Sequence, residues 1–160
     1  MLGGQPMRIY CKGDTGLNMA VRGDKVLLVP ADSNDESQQW IQDYDAVGRV
    51  ADEQGRRAFA LVNVRTKQAA VLLDERSNRL EMARYAGGDG GGGGGVVKLS
   101  MLWSLGARLP GGYCEVRLLR DISRTLNGIN GHVREGTVVG IYNSEPDSVH
   151  AIWKFDPINK

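Results

Sequence analysis

Glu36-Ser37-Gln38-Gln39-Trp40-Ile41 ends on a tryptophan that returns twice in matching surroundings, as Met101-Leu102-Trp103 and Ala151-Ile152-Trp153; the chain has no others. Upstream of Trp40 lie three short runs, Arg8-Ile9-Tyr10-Cys11, Leu17-Asn18-Met19-Ala20-Val21 and Lys25-Val26-Leu27-Leu28-Val29. Each is bounded by Gly, Asp, Asn or Pro and rich in strand-forming residues. The same series precedes Trp103, as Phe59–Asn63, Gln68–Leu73 and Leu80–Tyr85. It precedes Trp153 as Val116–Leu119, Thr125–Ile129 and Val138–Tyr142. No window sustains a 3.6-residue period for three turns, so the chain reads as all-β. Three blocks of four strands, each closing on Trp, describe a β-trefoil with three pseudo-repeats of four strands. A four-strand block cannot bury its own apolar face; three around one axis share a core, and barrel closure removes exposed edges. The repeats run over about residues 7–50, 51–110 and 111–160, one domain of residues 7–160 after a flexible N-terminus, residues 1–6.

Composition agrees with one domain of ordinary make-up. The 160 residues are 41% hydrophobic and 24% charged, with a formal net charge of +1. That charge argues against a protein built to coat phosphate backbones, so nucleic acid is not an expected partner. Fourteen of the 20 cationic side chains are Arg, which suits forked, fixed hydrogen bonding. No run of about 18 apolar residues occurs, which predicts no membrane span, and Met1–Pro6 lacks the features of a signal peptide. Cys11 and Cys114 are too few for a disulfide framework and read as small core residues in a reducing compartment.

Residues 87–95 hold eight glycines in nine positions and read as a flexible loop. They are not a phosphate-binding loop, because Val96-Val97-Lys98 follows where Gly-Lys-Ser/Thr would be needed. Trp40 to Trp103 spans 63 residues and Trp103 to Trp153 spans 50, a difference due mostly to this insertion. Lengthening a surface loop costs only about 0.6 kcal/mol per doubling.

The tryptophans recur at equivalent places beside Ile41, Leu102 and Ile152, which reads as core filling rather than ligand stacking. Gln38-Gln39-Trp40 is a Gln-x-Trp pattern whose amide satisfies neighbouring backbone groups; Met101 and Ala151 replace that Gln later. The stretches Arg8–Lys12, Lys25–Asp32 and Asp35–Trp40 resemble the plant Euonymus-type lectin domain of the ricin-B-like group. Phe59–Asn63, Gln68-Ala69, Leu102-Trp103, Leu126-Asn127 and Gly136–Val139 extend the similarity to about residues 7–158. The resemblance implies a lectin-like, carbohydrate-binding protein of cytoplasm and nucleus, associated in plants with stress responses and without catalytic activity.

A sugar site needs an aromatic face for the ring's C–H side and amide or carboxylate groups for its hydroxyls. Ricin-like repeats supply an Asp on the second strand, an aromatic on the third and an Asn three residues before the Trp. The first repeat offers Asn18 and Asp32 but no aromatic at Val29, with Ser37 ahead of Trp40. The second offers Tyr85 without an acidic partner, with Ser100 in the Asn place. The third is best furnished: Asn127 or Asn130, Tyr142 with Asn143, and His150 three before Trp153. Asp147 replaces the missing acid if Ser144–Asp147 folds inward. The related lectins place Asp where Asn127 or Asn130 stands, Trp at Tyr142, and Asn-Gln ahead of the last Trp. An amide in place of Asp removes the stronger, charge-assisted acceptor.

Chemistry beyond binding is not expected. His132 and His150 lack metal-like spacing, no Cys-x-x-Cys occurs, and no nucleophile elbow appears. Asp32 with Asp35 and Asp43 with Asp45 lie in turn-rich segments where Asp serves the backbone. No cofactor is implied. The partners expected are glycans or glycoproteins, with a homo-oligomer left open. The alternative is a trefoil that has lost sugar binding and acts as a protein-interaction module. Its face would be built from Arg56, Arg57, Arg117, Arg120, Arg124 and Arg134.

Overall fold

The computed structural model of the chain describes residues 4–74, 76–85 and 99–158. The glycine run at 87–95 lies outside them. Twelve strands occur among the described residues, where the apolar runs predict them. The first block holds β1 (Met7–Cys11), β2 (Leu17–Arg22), β3 (Lys25–Pro30) and β4 (Trp40–Asp43). The second holds β5 (Phe59–Asn63), β6 (Gln68–Val71), β7 (Glu81–Arg84) and β8 (Leu102–Leu105). The third holds β9 (Val116–Leu118), β10 (Asp121–Gly128), β11 (Val139–Asn143) and β12 (Trp153–Pro157).

The first and last strand of each block form an antiparallel barrel in the order β1, β4, β5, β8, β9, β12, with β12 returning to β1. Closure comes just before β9, where Cys114 and Trp153 exchange both backbone hydrogen bonds, at 2.9 and 2.8 Å. The middle strands pair as hairpins, β2 with β3, β6 with β7 and β10 with β11. These meet through bridges such as Leu27 to Val138 and Arg79 to Gly140. The chain is a β-trefoil.

Trp40, Trp103 and Trp153 are fully buried in one core with Phe59, Met19, Leu28, Leu80, Leu126 and Ile141. Burying roughly 200 Å² of indole at about 25 cal/mol/Å² contributes about 5 kcal/mol before the entropy of ordering it is subtracted. Each indole N–H also needs an acceptor once buried. All three find the same one: Trp40 donates to Met19 O (2.9 Å), Trp103 to Ala70 O (3.1 Å) and Trp153 to Leu126 O (3.0 Å). The block's last strand is thereby tied to its second, once per block. These three carbonyls define which positions of the blocks correspond.

The cysteines flank one residue. Cys11 faces Trp153 across one edge of β12, and Cys114 faces it across the other. Two strand spacings of about 4.8 Å separate their backbones, beyond disulfide reach, and both thiols are free and buried. Burial pushes the Cys114 thiol up to about 11.

Candidate functional site

Counting from the indole acceptors, Asn127 corresponds to Ala20 and Val71, and the residues paired opposite are Gly140, Leu27 and Glu81. Only the third hairpin therefore sets a polar side chain across from a glycine. Two positions back, Thr125 pairs with Tyr142, where the other hairpins pair Asn18 with Val29 and Ala69 with Ala83. An aromatic ring at this place belongs to the third block alone, and Asn78 and Ile129 pack against its glycine.

Over this face lies a hollow of about 350 Å³. Four residues expected from sequence line it: Asn127, Asn130, Tyr142 and His150. Asn127 is only 5% exposed, and its amide has no hydrogen-bond partner among the described residues. The amide is not sealed in the interior but reaches the hollow, where it is available to a ligand. Tyr142 lines the same hollow with half its surface in solvent. Asn130 and Gly131 both have positive φ, +62° and +73°, turning the chain beside the hollow. Asn tolerates that region better than most residues, and glycine adopts it freely at 131, beside the His150 ring.

Asn143 and Asp147 are exposed and are not among the lining residues. The Ser144–Asp147 loop does bring an acid to the hollow, but that acid is Glu145. Buried Glu115 sets the path: its Oε2 accepts from the Ser144 hydroxyl (2.6 Å) and the Glu145 N–H (3.0 Å). The Glu145 carboxylate accepts from the Ser148 hydroxyl at 2.9 Å and lies 3.7 Å from His150 Nε2, an ion pair when that imidazole is protonated. Asn78, from the second block, lines the hollow as well, and its carbonyl accepts from Ile141 N–H at 2.6 Å. Asn78, Glu145, Ile129 and Gly131 escaped the sequence reading, since spacing from Trp153 points to neither a loop's course nor a neighbouring block.

The other two blocks have spent the corresponding groups. Asn18 donates to Gln38 Oε1 (2.8 Å) and accepts from Arg8 (2.8 Å). Gln38 further accepts from Asp32 N–H and donates to Pro30 O, the backbone service expected of Gln-x-Trp. In the third block Ala151 replaces that Gln, and the hydroxyl of Thr125, in Asn18's place, is buried without a partner. A hollow of about 500 Å³ exists at the first block's counterpart too, but there Arg22 is engaged, donating to Ser37 Oγ (2.6 Å) and to Asp35 (3.1 Å). Tyr85 is no stacking ring: it is buried and donates to Asp43 Oδ2 at 2.6 Å. Burial and that carboxylate both raise its phenol.

Of the arginines named for an interaction face, Arg56, Arg57, Arg120 and Arg134 are exposed, and Arg117 is the one withdrawn into the interior. Arg117 is buried, bonded to Asp52 (3.0 Å) and Gln54 (3.1 Å). Arg57 donates to the Gly48 and Tyr44 carbonyls, and Arg120 to Leu72 O. Among the described residues no group of three His, Cys, Asp or Glu could hold a metal ion.

No protein-family model matches the chain. It is 31% identical to the ricin B-like lectin R40C1 of rice (Oryza sativa subsp. japonica), covering 97% of this chain and 44% of that protein. It is 26% identical to the ricin B-like lectin EULS3 of Arabidopsis thaliana, covering 98% and 49%. A further rice relative, R40G3, is 29% identical over 94% of this chain and 72% of its own length. The chain resembles the plant ricin B-like lectins along nearly its whole length. It spans about half the length of the first two. Among solved structures, the Macrolepiota procera ricin B-like lectin in complex with lactose superposes with a TM-score of 0.67, 13% identity and 98% coverage of each chain. The Rhizoctonia solani agglutinin gives 0.68 at 13% identity, covering 98% and 97%. At these identities the likeness concerns the fold.

Proposed function

We propose that this protein binds carbohydrate, in the hollow of its third block. The observation that carries the reading is that the Asn127 amide, without a hydrogen-bond partner among the described residues, lines one hollow with the exposed ring of Tyr142. That pairing offers a sugar both a hydroxyl partner and a stacking face. Glu145 and His150 add a charge-assisted acceptor and a second polar edge. The plant lectins it resembles support the same ligand class. The lining holds one carboxylate, whereas glycoside hydrolysis uses two, which favours binding over turnover. A shallow, wet site gives modest affinity, so avidity would come from multivalent display. A location in cytoplasm and nucleus belongs to the same proposal, and a fluorescent fusion tests it.

Isothermal titration against mannose, galactose and N-glycan ligands tests the reading. Asn127→Ala and Tyr142→Ala should each weaken binding at least tenfold while leaving the near-ultraviolet spectrum of the buried tryptophans unchanged. Undiminished binding in both variants would refute this site.

A further inference from the structure

Beside the first hollow, with Ile129 lining both, is a second of about 380 Å³. Its charged lining is Arg79, His132, Arg134 and Glu135. Arg79 is half-buried, and its guanidinium has no hydrogen bond or carboxylate partner among the described residues. Among the described residues, the Arg134 guanidinium has one side-chain partner, His132 Nδ1, at 3.2 Å. An imidazole accepting there keeps its proton on Nε2. Glu135 is the single acid of the lining and makes no ion pair with either arginine. Two permanent cations thus face a hollow with most of their donors unspent. Arg22, at the first-block counterpart of Ile129, is by contrast closed off by Asp35 and Ser37.

We propose that this second hollow takes an anionic group, a carboxylate or a sulfate ester, on a sugar residue adjoining the one seated over Asn127. The preferred ligand is then an acidic oligosaccharide, an inference that rests on the carbohydrate reading above. Guanidinium forks match such oxygens in a bidentate manner, and the partial burial of Arg79 limits screening. Glu145 at the first hollow disfavours an acid there, so the charge is directed to the Arg79 side.

A glycan array carrying matched neutral, sulfated and carboxylate-bearing oligosaccharides tests this with the full chain, Arg79→Gln, Arg134→Gln and the double variant. At low salt the acidic member of a matched pair should bind about tenfold tighter than the neutral one. That preference should shrink towards unity in the double variant and at high salt, with neutral binding unchanged. The sulfate and carboxylate arms tell which anion is taken. Equal binding of neutral and acidic partners, or a preference surviving in the double variant, overturns the subsite and leaves the carbohydrate reading standing. No binding to any glycan overturns both.

Discussion

Replacing Gly140 by alanine adds one carbon where the third block has no space for it. Its ideal Cβ would overlap the Asn78 carbonyl oxygen and come within 2.8 Å of Ile129 Cγ1. The cost is steric, since Gly140 does not have a positive φ. The first obstruction is backbone, held by the 2.6 Å bond from Ile141 N–H, so it cannot rotate aside. Overpacking of this kind costs about 1–3 kcal/mol, and a strained hydrogen bond adds about 1. A total near 3 kcal/mol lowers the melting temperature of a 160-residue chain by about 10 °C. Because Asn78 and Ile129 line the hollow, displacing them should also weaken glycan binding. Leu27 and Glu81, at the corresponding places, show that a side chain as such is acceptable in this hairpin register. Calorimetry of Gly140→Ala beside the wild type, with titration of the same ligand, makes the check. A variant melting within a degree of the parent and binding equally well would refute the claim that close packing of Asn78 and Ile129 on this glycine shapes the site.

Trp103→Phe should lose about 2–4 kcal/mol in urea unfolding, from the void left and the orphaned Ala70 carbonyl. Burial pushes the Asp52 carboxyl up, but Ser104, the Arg56 and Gln54 backbone N–H groups and Arg117 outweigh it and hold the group below the usual carboxylate range. Its contribution is therefore present above the unfolded-state value, near 3.9, and is lost as pH falls through the lower folded value. Asp52→Ala should cost about 3–5 kcal/mol at pH 7 by leaving Arg117 buried and unpaired, and should flatten the acid limb of stability against pH. Cys11 and Cys114 should resist a thiol-specific dye until the chain is unfolded, since burial raises both thiols. Rapid labelling of the native protein would contradict that placement.

The trefoil was legible because its signal is local and triplicate. Trp40, Trp103 and Trp153 mark three equivalent places in one core, and alternating apolar runs mark strands, since burial of one face imposes that pattern wherever the chain lies. Asn127, Tyr142 and His150 were legible for the same reason, each standing at a set distance from Trp153. Tyr85 was misread because an aromatic near the right spacing does not reveal its face; register puts Ala83, not Tyr85, opposite the strand, and Asp43 claims the phenol. Arg117 likewise read as surface until Asp52, 65 positions away, supplied a buried partner. The entry of Glu145 and Asn78 into the hollow belongs to tertiary structure alone. The first is steered by Glu115, 30 positions earlier, and the second arrives from another block. Periodic burial is written along the chain, whereas contacts between distant residues exist only after the three blocks close around their common axis.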